Sequence, residues 1–291
     1  MKIRARLVLA VCLMWPASGY AKENVVAVLS SELQPYQDAL QGFQQSYGGP
    51  VDTVHLATQP PGVRGQPQVI VAIGGKAALQ RYPETSIVIY CMAPGAYLAP
   101  ADFRNTIIQV SMMPKPERLL QSIQEIQPKI ERLAVLWNSL AYGGYIDDLR
   151  KAGHDHGVEI LADRLEKPGV LPDRLRGWQG RADAILMTAD PILINNENLV
   201  LITQYSWSNH MPFYAAAGGL TEKGAAAAFS VEYTDIGRAA GAAAQKAMSG
   251  AARPTVVYGE PLRMEINVGA ARKAGLSLAP AVLQQAKKVI P

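Results

Sequence analysis

Five consecutive apolar residues without polar alternation, Val69–Ile73, run straight into Gly74-Gly75 and then into the helix formers Lys76-Ala77-Ala78-Leu79. This stretch constrains the fold more than any other. A strand that is apolar on both sides has to be covered on both faces, and a parallel sheet between helices meets that condition. The two glycines permit a sharp turn and leave the backbone bare of side chains. A helix starting there stands at the carboxyl end of a central strand. Its free N–H groups and positive dipole end favour an anion. In an open α/β sheet that edge faces a ligand crevice. An ordinary strand-to-helix turn has the same pattern, so the stretch by itself leaves both readings open.

The pattern recurs along the chain. Val25–Leu29 predicts a strand ending at Ser30-Ser31, followed by a helix from Pro35 to about Tyr47 with Tyr36, Leu40, Phe43 and Tyr47 at helical spacing. Val51–Leu56, Ser86–Tyr90 and Thr106–Val110 predict further strands. Ala57–Pro67 is a Pro/Gly-rich connection without helical period, and Met92–Asn105 is irregular. Beyond Pro114 and Pro116, Glu117–Gln127 is an amphipathic helix. Leu133–Trp137 is a strand ending at Asn138-Ser139, and Asp183–Thr188 is a strand ending near Asp190-Pro191. Helices are predicted over Gly144–His156, Pro172–Gln179, Leu193–Asn209 and Thr234–Met248. Further strands are predicted over Val158–Leu161, Pro212–Ala216, Ala225–Val231 and Leu262–Asn267. Strands and helices alternate, and there are enough strands for two parallel sheets. Right-handed crossovers bring all strand carboxyl ends to one edge of each sheet. Ser30/Ser31, Gly74/Gly75, Asn138/Ser139 and Asp190 all fall at such ends, so two sheets facing one another would enclose a polar-lined cleft.

The amino terminus reads differently. Lys2, Arg4 and Arg6 precede the apolar run Leu7–Trp15, and Gly19-Tyr20-Ala21 resembles a small-x-small cleavage site. Residues 1–21 are therefore expected to be a secretory signal peptide, and the apolar run is too short to span a bilayer unaided. Cys12 lies in this segment, but Val11 before it fits an acylation motif poorly. The chain beyond it keeps one cysteine, Cys91, so no internal disulfide is expected, and its place in an apolar run suits a buried small hydrophobe. Three of the 28 basic residues lie in the leader; the other 25 stand against 24 acidic residues, a net charge of +1. The apparent basicity thus argues for no nucleic-acid partner.

Catalytic chemistry needs a nucleophile with a base, paired carboxylates or a metal cluster. His154-Asp155-His156 ends a predicted helix before Gly157, where histidine complements the dipole, and residues two apart do not share a helix face. No G-x-S-x-G, H-E-x-x-H or phosphate-loop pattern occurs. His55 sits late in a predicted strand, and His210 precedes Met211-Pro212 in a loop. Asp190 is the best isolated carboxylate: it can cap the following helix, hold a ligand's ammonium group, or both. Asn195, Asn196 and Glu197 follow one turn later. Tyr142, Tyr145 and Tyr36 can each cover a ligand or simply pack.

Six segments, VVAVLSSELQPYQDALQGF, VIVAIGGKAAL, RLAVLWN, ADAILMTADPILINNENL, MPFYAAAGGLTEKGAAAAFSVEYTDIGRAAG and LRMEINVGAARKAGLSLAPAVLQQA, occur in an order that resembles one family. It is the tryptophan/tyrosine-type substrate-binding proteins of ABC transporters. The most specific pieces surround Asp190, run from Glu222 to Gly237, and close with the I-N-x-x-x-A-x-x-x-G-L-x-x-P-x-x-L pattern from Ile266. The resemblance implies a type I periplasmic-binding fold: two doubly wound α/β lobes joined by three crossings near Ser111, Val231 and Arg253. It divides the chain into residues 22–111 with 232–252 as the first lobe, and 112–231 with 253–291 as the second.

The resemblance also implies that positions matching Ser30, Ser31, Asn138, Ser139 and Asp190 line the cleft. The turn at Gly74-Gly75 would face a ligand carboxylate. The expected ligand-binding set is thus Ser30, Ser31, Tyr36, Gly74, Gly75, Lys76, Asn138, Ser139, Tyr142, Asp190 and Asn195. The chain departs from the family pattern in three places, all in the first lobe. Gly75-Lys76 stands where the family usually carries a Thr or Ser donor and a small residue. Ala57–Pro67 is short for a crossover helix, and Cys91–Asn105 lacks the usual Asp-Pro loop. The resulting expectation is a monomeric, periplasmic, non-enzymatic protein without cofactor or metal, binding a small solute such as an amino acid for a membrane permease. The trimmed first lobe motivates an alternative, an exported sensor or adaptor that signals to a membrane receptor.

Overall fold

A computed structural model describes residues 24–98, 102–167, 169–252 and 254–291. The predicted leader, residues 1–21, lies outside them, as does Arg253. In chain order the elements are β1 (Val25–Leu29), α1 (Gln34–Tyr47), β2 (Asp52–His55), β3 (Val69–Ile73), α2 (Gly75–Ala78), β4 (Ile87–Cys91) and β5 (Thr106–Ser111). Then come α3 (Pro116–Ile126), β6 (Arg132–Trp137), α4 (Gly143–His156), β7 (Glu159–Arg164), α5 (Leu171–Trp178), β8 (Ala184–Met187), α6 (Asn196–Ser208), β9 (Phe213–Ala215) and β10 (Ala227–Val231). The chain finishes with α7 (Tyr233–Met248), β11 (Val256–Tyr258), β12 (Leu262–Asn267), α8 (Val268–Lys273), α9 (Pro280–Gln285) and β13 (Lys288–Ile290).

These form an α/β architecture of two sheets. The first has the order β11-β5-β4-β3-β1-β2 and is parallel throughout. The second has the order β13-β12-β10-β9-β8-β6-β7, parallel except where β12 runs against β10. Every residue of β1, β3 and β4 is buried, as their unbroken apolar runs require. In each sheet the strand order reverses once, between β1 and β3 in the first and between β6 and β8 in the second. Such switch points are where open α/β sheets leave a crevice at their carboxyl ends.

One face of the first sheet is covered by α1 and α7, whose apolar residues include Ala39, Phe43, Ile236 and Ala240. Glycines bring these helices into backbone contact. A Cβ on Gly237 would lie 1.9 Å from the Ala39 carbonyl oxygen, and one on Gly42 equally close to that of Thr234. The other face is covered less completely. The β2–β3 connection contains no helix, as its Pro/Gly content predicts, and the described part of the β4–β5 connection contains none either. The single turn α2, with Ala77 and Ala78 inward, covers part of that face.

The chain passes between the sheets three times: after β5 at 112–115, at Glu232 between β10 and α7, and at 259–261 between β11 and β12. The third passage differs from the expectation near Arg253. Val256–Tyr258, assigned to the second lobe from sequence, pairs with Gln109–Ser111 and completes the first sheet. A three-residue strand following a Pro-containing loop has too few positions to show a period. The helix expected from Leu193 begins instead at Asn196, because Asn195 serves as its cap.

Candidate functional site

The first-lobe side of the strand-end edge is built around Gly74. Its φ of 101° suits glycine, and a Cβ there would stand 2.5 Å from both Ser30 Oγ and Tyr36 Cε1. Ser30, Tyr36 and Gly74 are thus packed together where β1 and β3 end. Buried Ser30 uses its Oγ to accept from the Ala77 N–H at 2.8 Å. Ser31 Oγ accepts from Leu33 N–H at 3.2 Å. Gly75 is half-buried with open space around it, and the Lys76 side chain is exposed. A helix does begin at this turn, but α2 has only four residues, and one of its early N–H groups is already bonded to Ser30.

Sequence reasoning missed a pair beside this cluster. His55 Nδ1 lies 2.5 Å from Glu32 Oε1, and Gln37 Nε2 donates to Glu32 Oε2 at 2.7 Å. His55 is 23 positions from Glu32 in sequence, but the β1–β2 register sets it beside Leu29, three residues before Glu32. Strand pairing, not local sequence, carries that signal.

The second-lobe side is built around Asp190, which is fully buried. Its Oδ2 accepts from the Asn138 N–H at 2.9 Å and the Ser139 N–H at 2.6 Å, and its Oδ1 from the Ile192 N–H at 3.0 Å. The carboxylate therefore ties the turn after β6 to the turn after β8. The sequence offered Asp190 as a cap for the following helix, but α6 is capped by Asn195, and Asp190 instead fastens one strand-end turn to the other. Around it, Arg164 Nε donates to the Asn138 carbonyl at 2.8 Å, and Asn138 Nδ2 donates to the Leu165 carbonyl. The Tyr142 hydroxyl donates to the Ala189 carbonyl at 2.8 Å. Burial, reinforced by the nearby Asp190 charge, holds that phenol protonated. Tyr145 likewise donates to the Pro114 carbonyl at 2.9 Å. Asn195 stands outside this cluster. It is exposed, and its Oδ1 accepts from Asn198 N–H at 2.9 Å as the cap of α6.

The two sides touch at the turn after β6. Ser139 Oγ donates to the Gly95 carbonyl at 2.9 Å, joining the turn after β6 to the segment after β4. Gly95 has φ of 76°, and a Cβ there would lie 3.5 Å from Pro191 Cδ. Beyond this bridge, a cavity of about 230 Å³ lies between the carboxyl ends of β8 and β9 and the first turn of α7. It is lined by Met112, Ala189, Gly218, Tyr233 and Glu265. Five of the large hydrophobic residues with more than half their surface exposed, Leu33, Leu79, Tyr97, Leu140 and Ile192, sit just past the ends of β1, β3, β4, β6 and β8. The edge is a polar floor with an apolar rim, suited to holding a small amphipathic solute.

Among the described residues no group of three or more His, Cys, Asp or Glu side chains is placed to hold a metal ion. Cys91 is fully buried and its thiol is pushed up to about 12 by desolvation, the condition of a structural rather than a reactive cysteine.

Residues 37–290 match the family model described as ABC transporter substrate binding protein. No curated protein matches the chain in sequence. Solved structures of similar fold include a conserved domain protein from Vibrio cholerae, with 16% identity, TM-score 0.57, and coverage of 92% of this chain and 99% of that one. The ABC domain in complex with L-Trp from Streptococcus pneumonia has 16% identity and TM-score 0.58, covering 91% and 100%. A ligand-free, open substrate-binding protein with adhesive properties from Clostridium difficile has 13% identity and TM-score 0.60, covering 92% and 99%.

Proposed function

Since the chain belongs to the ABC transporter substrate-binding protein family, we propose that it is exported, captures a small solute between its two lobes and presents it to a membrane permease. It binds and carries out no chemistry on what it holds. One observation supports this reading: Ser30, Tyr36 and Gly74 gather at the switch point of one sheet, Asn138, Ser139 and Asp190 gather at that of the other, and Ser139 Oγ reaches across to the Gly95 carbonyl. In this reading Ser31, Gly75 and Lys76 meet an anionic group of the solute. Asp190 holds the Asn138-Ser139 turn in place, and closure occurs about the passages at 112–115, 232 and 259–261. The lobes are residues 22–111 with 232–258, and 112–231 with 259–291. The basic-apolar leader and the small-x-small site at Ala21 support export to the periplasm, where in this reading the protein acts as a monomer.

An amino acid is the first solute class to test, since a protein of similar fold was solved with L-Trp. Thermal-shift screening of the purified protein against amino acids, nucleosides and small carboxylates should reveal a stabilising solute. Lys76→Ala should then weaken a carboxylate-bearing solute by about three- to tenfold. A screen with no shift in any class would sink the reading. The incompletely covered face of the first sheet favours a second reading, a sensor or adaptor for a membrane receptor. Genes for a sensor kinase or cyclase beside this one, without a permease gene, would select it.

A further inference from the structure

A charged cluster sits on the second interlobe passage. Glu232 forms that passage, and Asp235 stands in the first turn of α7, in the first lobe. Asp235 is only 5% exposed, and its Oδ1 accepts from Arg238 of the same helix. The facing groups belong to the second lobe. Lys287, just before β13, donates to Glu232 Oε1. Arg263 of β12 reaches between the two carboxylates: its Nη2 lies 3.9 Å from Asp235 Oδ2, and its Nε lies 3.9 Å from Glu232 Oε1. Both separations exceed the hydrogen-bond range. Arg263 Nε is nevertheless buried, with no acceptor among the described residues. A buried donor left unbonded is costly, so a small shift that brought the guanidinium onto the carboxylates would be favourable.

The position of Arg263 gives that shift a consequence. Arg263 pairs with Ser230 across the β10–β12 register, and Glu265, two residues on, shares its sheet face. Ser230 and Glu265 line the cavity of about 230 Å³ opposite Tyr233 and Ile236 of α7. Arg263 therefore stands on the wall that faces α7, and its attraction to Asp235 acts from one lobe on the other. The passages leave little else to set the angle. The second is a single residue, and a Cβ on Gly259 of the third would lie 2.7 Å from Val231 Cγ1 beside it.

We propose that Arg263 is an interlobe clasp: drawn by Asp235 and Glu232, it pulls the second lobe towards the first turn of α7 and so limits how wide the strand-end cleft stands, without touching the solute. Its purpose rests on the solute-binding reading, but its effect on the lobes does not. Arginine suits the task because Nε and Nη2 of one rigid fork serve two different carboxylates, whereas a lysine offers a single point charge.

The test reads the distance between the lobes in the solute-free protein, so its outcome is independent of any solute screen. Spin labels are placed at Gln41→Cys on α1 and Asp155→Cys on α4, both exposed positions, while buried Cys91 stays unlabelled. Pulsed electron–electron resonance gives the distance distribution. Arg263→Gln should broaden it and raise the share of the more open arrangement about two- to tenfold, as expected for losing two partly exposed ion pairs. Arg263→Lys should fall between that variant and the wild type. About 1 M salt, which cuts the screening length to about 3 Å, should move the protein with Arg263 intact in the same direction and leave Arg263→Gln nearly unchanged. The salt comparison on the intact residue needs no substitution in the clasp, and unchanged far-ultraviolet circular dichroism will show that the variants fold. The proposal is overturned if the Arg263→Gln distribution superimposes on that of the wild type, or if salt moves both proteins equally, which would place the restraint in other charges.

Discussion

Replacing Asp190 tests how the second-lobe floor is held. Its carboxylate accepts three backbone N–H groups, from Asn138, Ser139 and Ile192, at 2.9, 2.6 and 3.0 Å. Each such charge-assisted bond contributes about 1.5–3 kcal/mol. Asp190→Ala removes all three acceptors, but the donors are only part-buried and water can satisfy some of them. Neighbouring losses are also not additive. We therefore expect about 3–5 kcal/mol of destabilisation. Asp190→Asn keeps one oxygen in place of Oδ2 and presents an amide NH₂ to the Ile192 N–H, so it should cost less, about 1–2.5 kcal/mol. Urea unfolding followed by circular dichroism and tryptophan emission measures both variants. Trp137 sits beside Asn138 and reports the same turn. If the lobes unfold separately, only the transition of the second lobe should move, with its m-value unchanged. An Asp190→Ala protein within about 1 kcal/mol of the wild type would refute the anchoring role. So would an asparagine variant less stable than the alanine one.

Three further outcomes follow from the same coordinates. Asp183 accepts from the Glu131 and Arg132 N–H groups at 3.0 and 2.7 Å and from Arg132 Nη2 at 2.8 Å. Partial burial pushes its carboxyl up, but these donors and the Arg132 charge hold it below the usual carboxylate range. A lowered folded pKa stabilises above the unfolded value of about 3.9 and loses that contribution as pH falls through the folded value. Asp183→Asn should therefore cost about 1–2 kcal/mol near pH 7 and almost nothing at the acid end of a urea–pH series. Cys91, buried and with its thiol pushed up to about 12, should resist a disulfide reagent at pH 8 in the native protein and react at once in urea; equal rates would contradict its burial. Gly237→Ala would set a Cβ 1.9 Å from the Ala39 carbonyl oxygen, and forcing α1 away from α7 should cost about 3 kcal/mol by thermal or urea unfolding.

Strand carboxyl ends were legible because unbroken apolar runs followed by Gly, Ser, Asn or Asp mark them. Val25–Leu29 and Val69–Ile73 coincide with β1 and β3 residue for residue. What these residues bond to was not legible. Asp190 looked available for a solute, and only the fold shows its oxygens turned onto the chain fifty residues earlier. Tyr142 and Tyr145 are committed in the same way to the carbonyls of Ala189 and Pro114. The Gly95–Ser139 contact joins segments 44 positions apart, with no local pattern to announce it. β11 was missed because three residues cannot reveal a period. The Glu32–His55 pair required the parallel register of β1 with β2.

The division of each sheet between distant parts of the chain bears on how the protein reaches this state. Residues up to Ser111 supply five strands of the first sheet, but α7 and β11, which finish it, come only after the whole run from Pro116 to Val231. Gln245 Nε2 donates to the Ser46 carbonyl, 199 positions back along the chain. Until α7 has been synthesised through Met248, the α1 side of that sheet, with Ala39 and Phe43, has nothing to close against. The second sheet in turn waits for β12 to pair with β10. Neither half can finish early, so loop closure over long separations sets the pace of folding. A nascent chain of this design keeps that apolar face open until synthesis is almost complete, the state in which a protein proposed for export can still be threaded across a membrane.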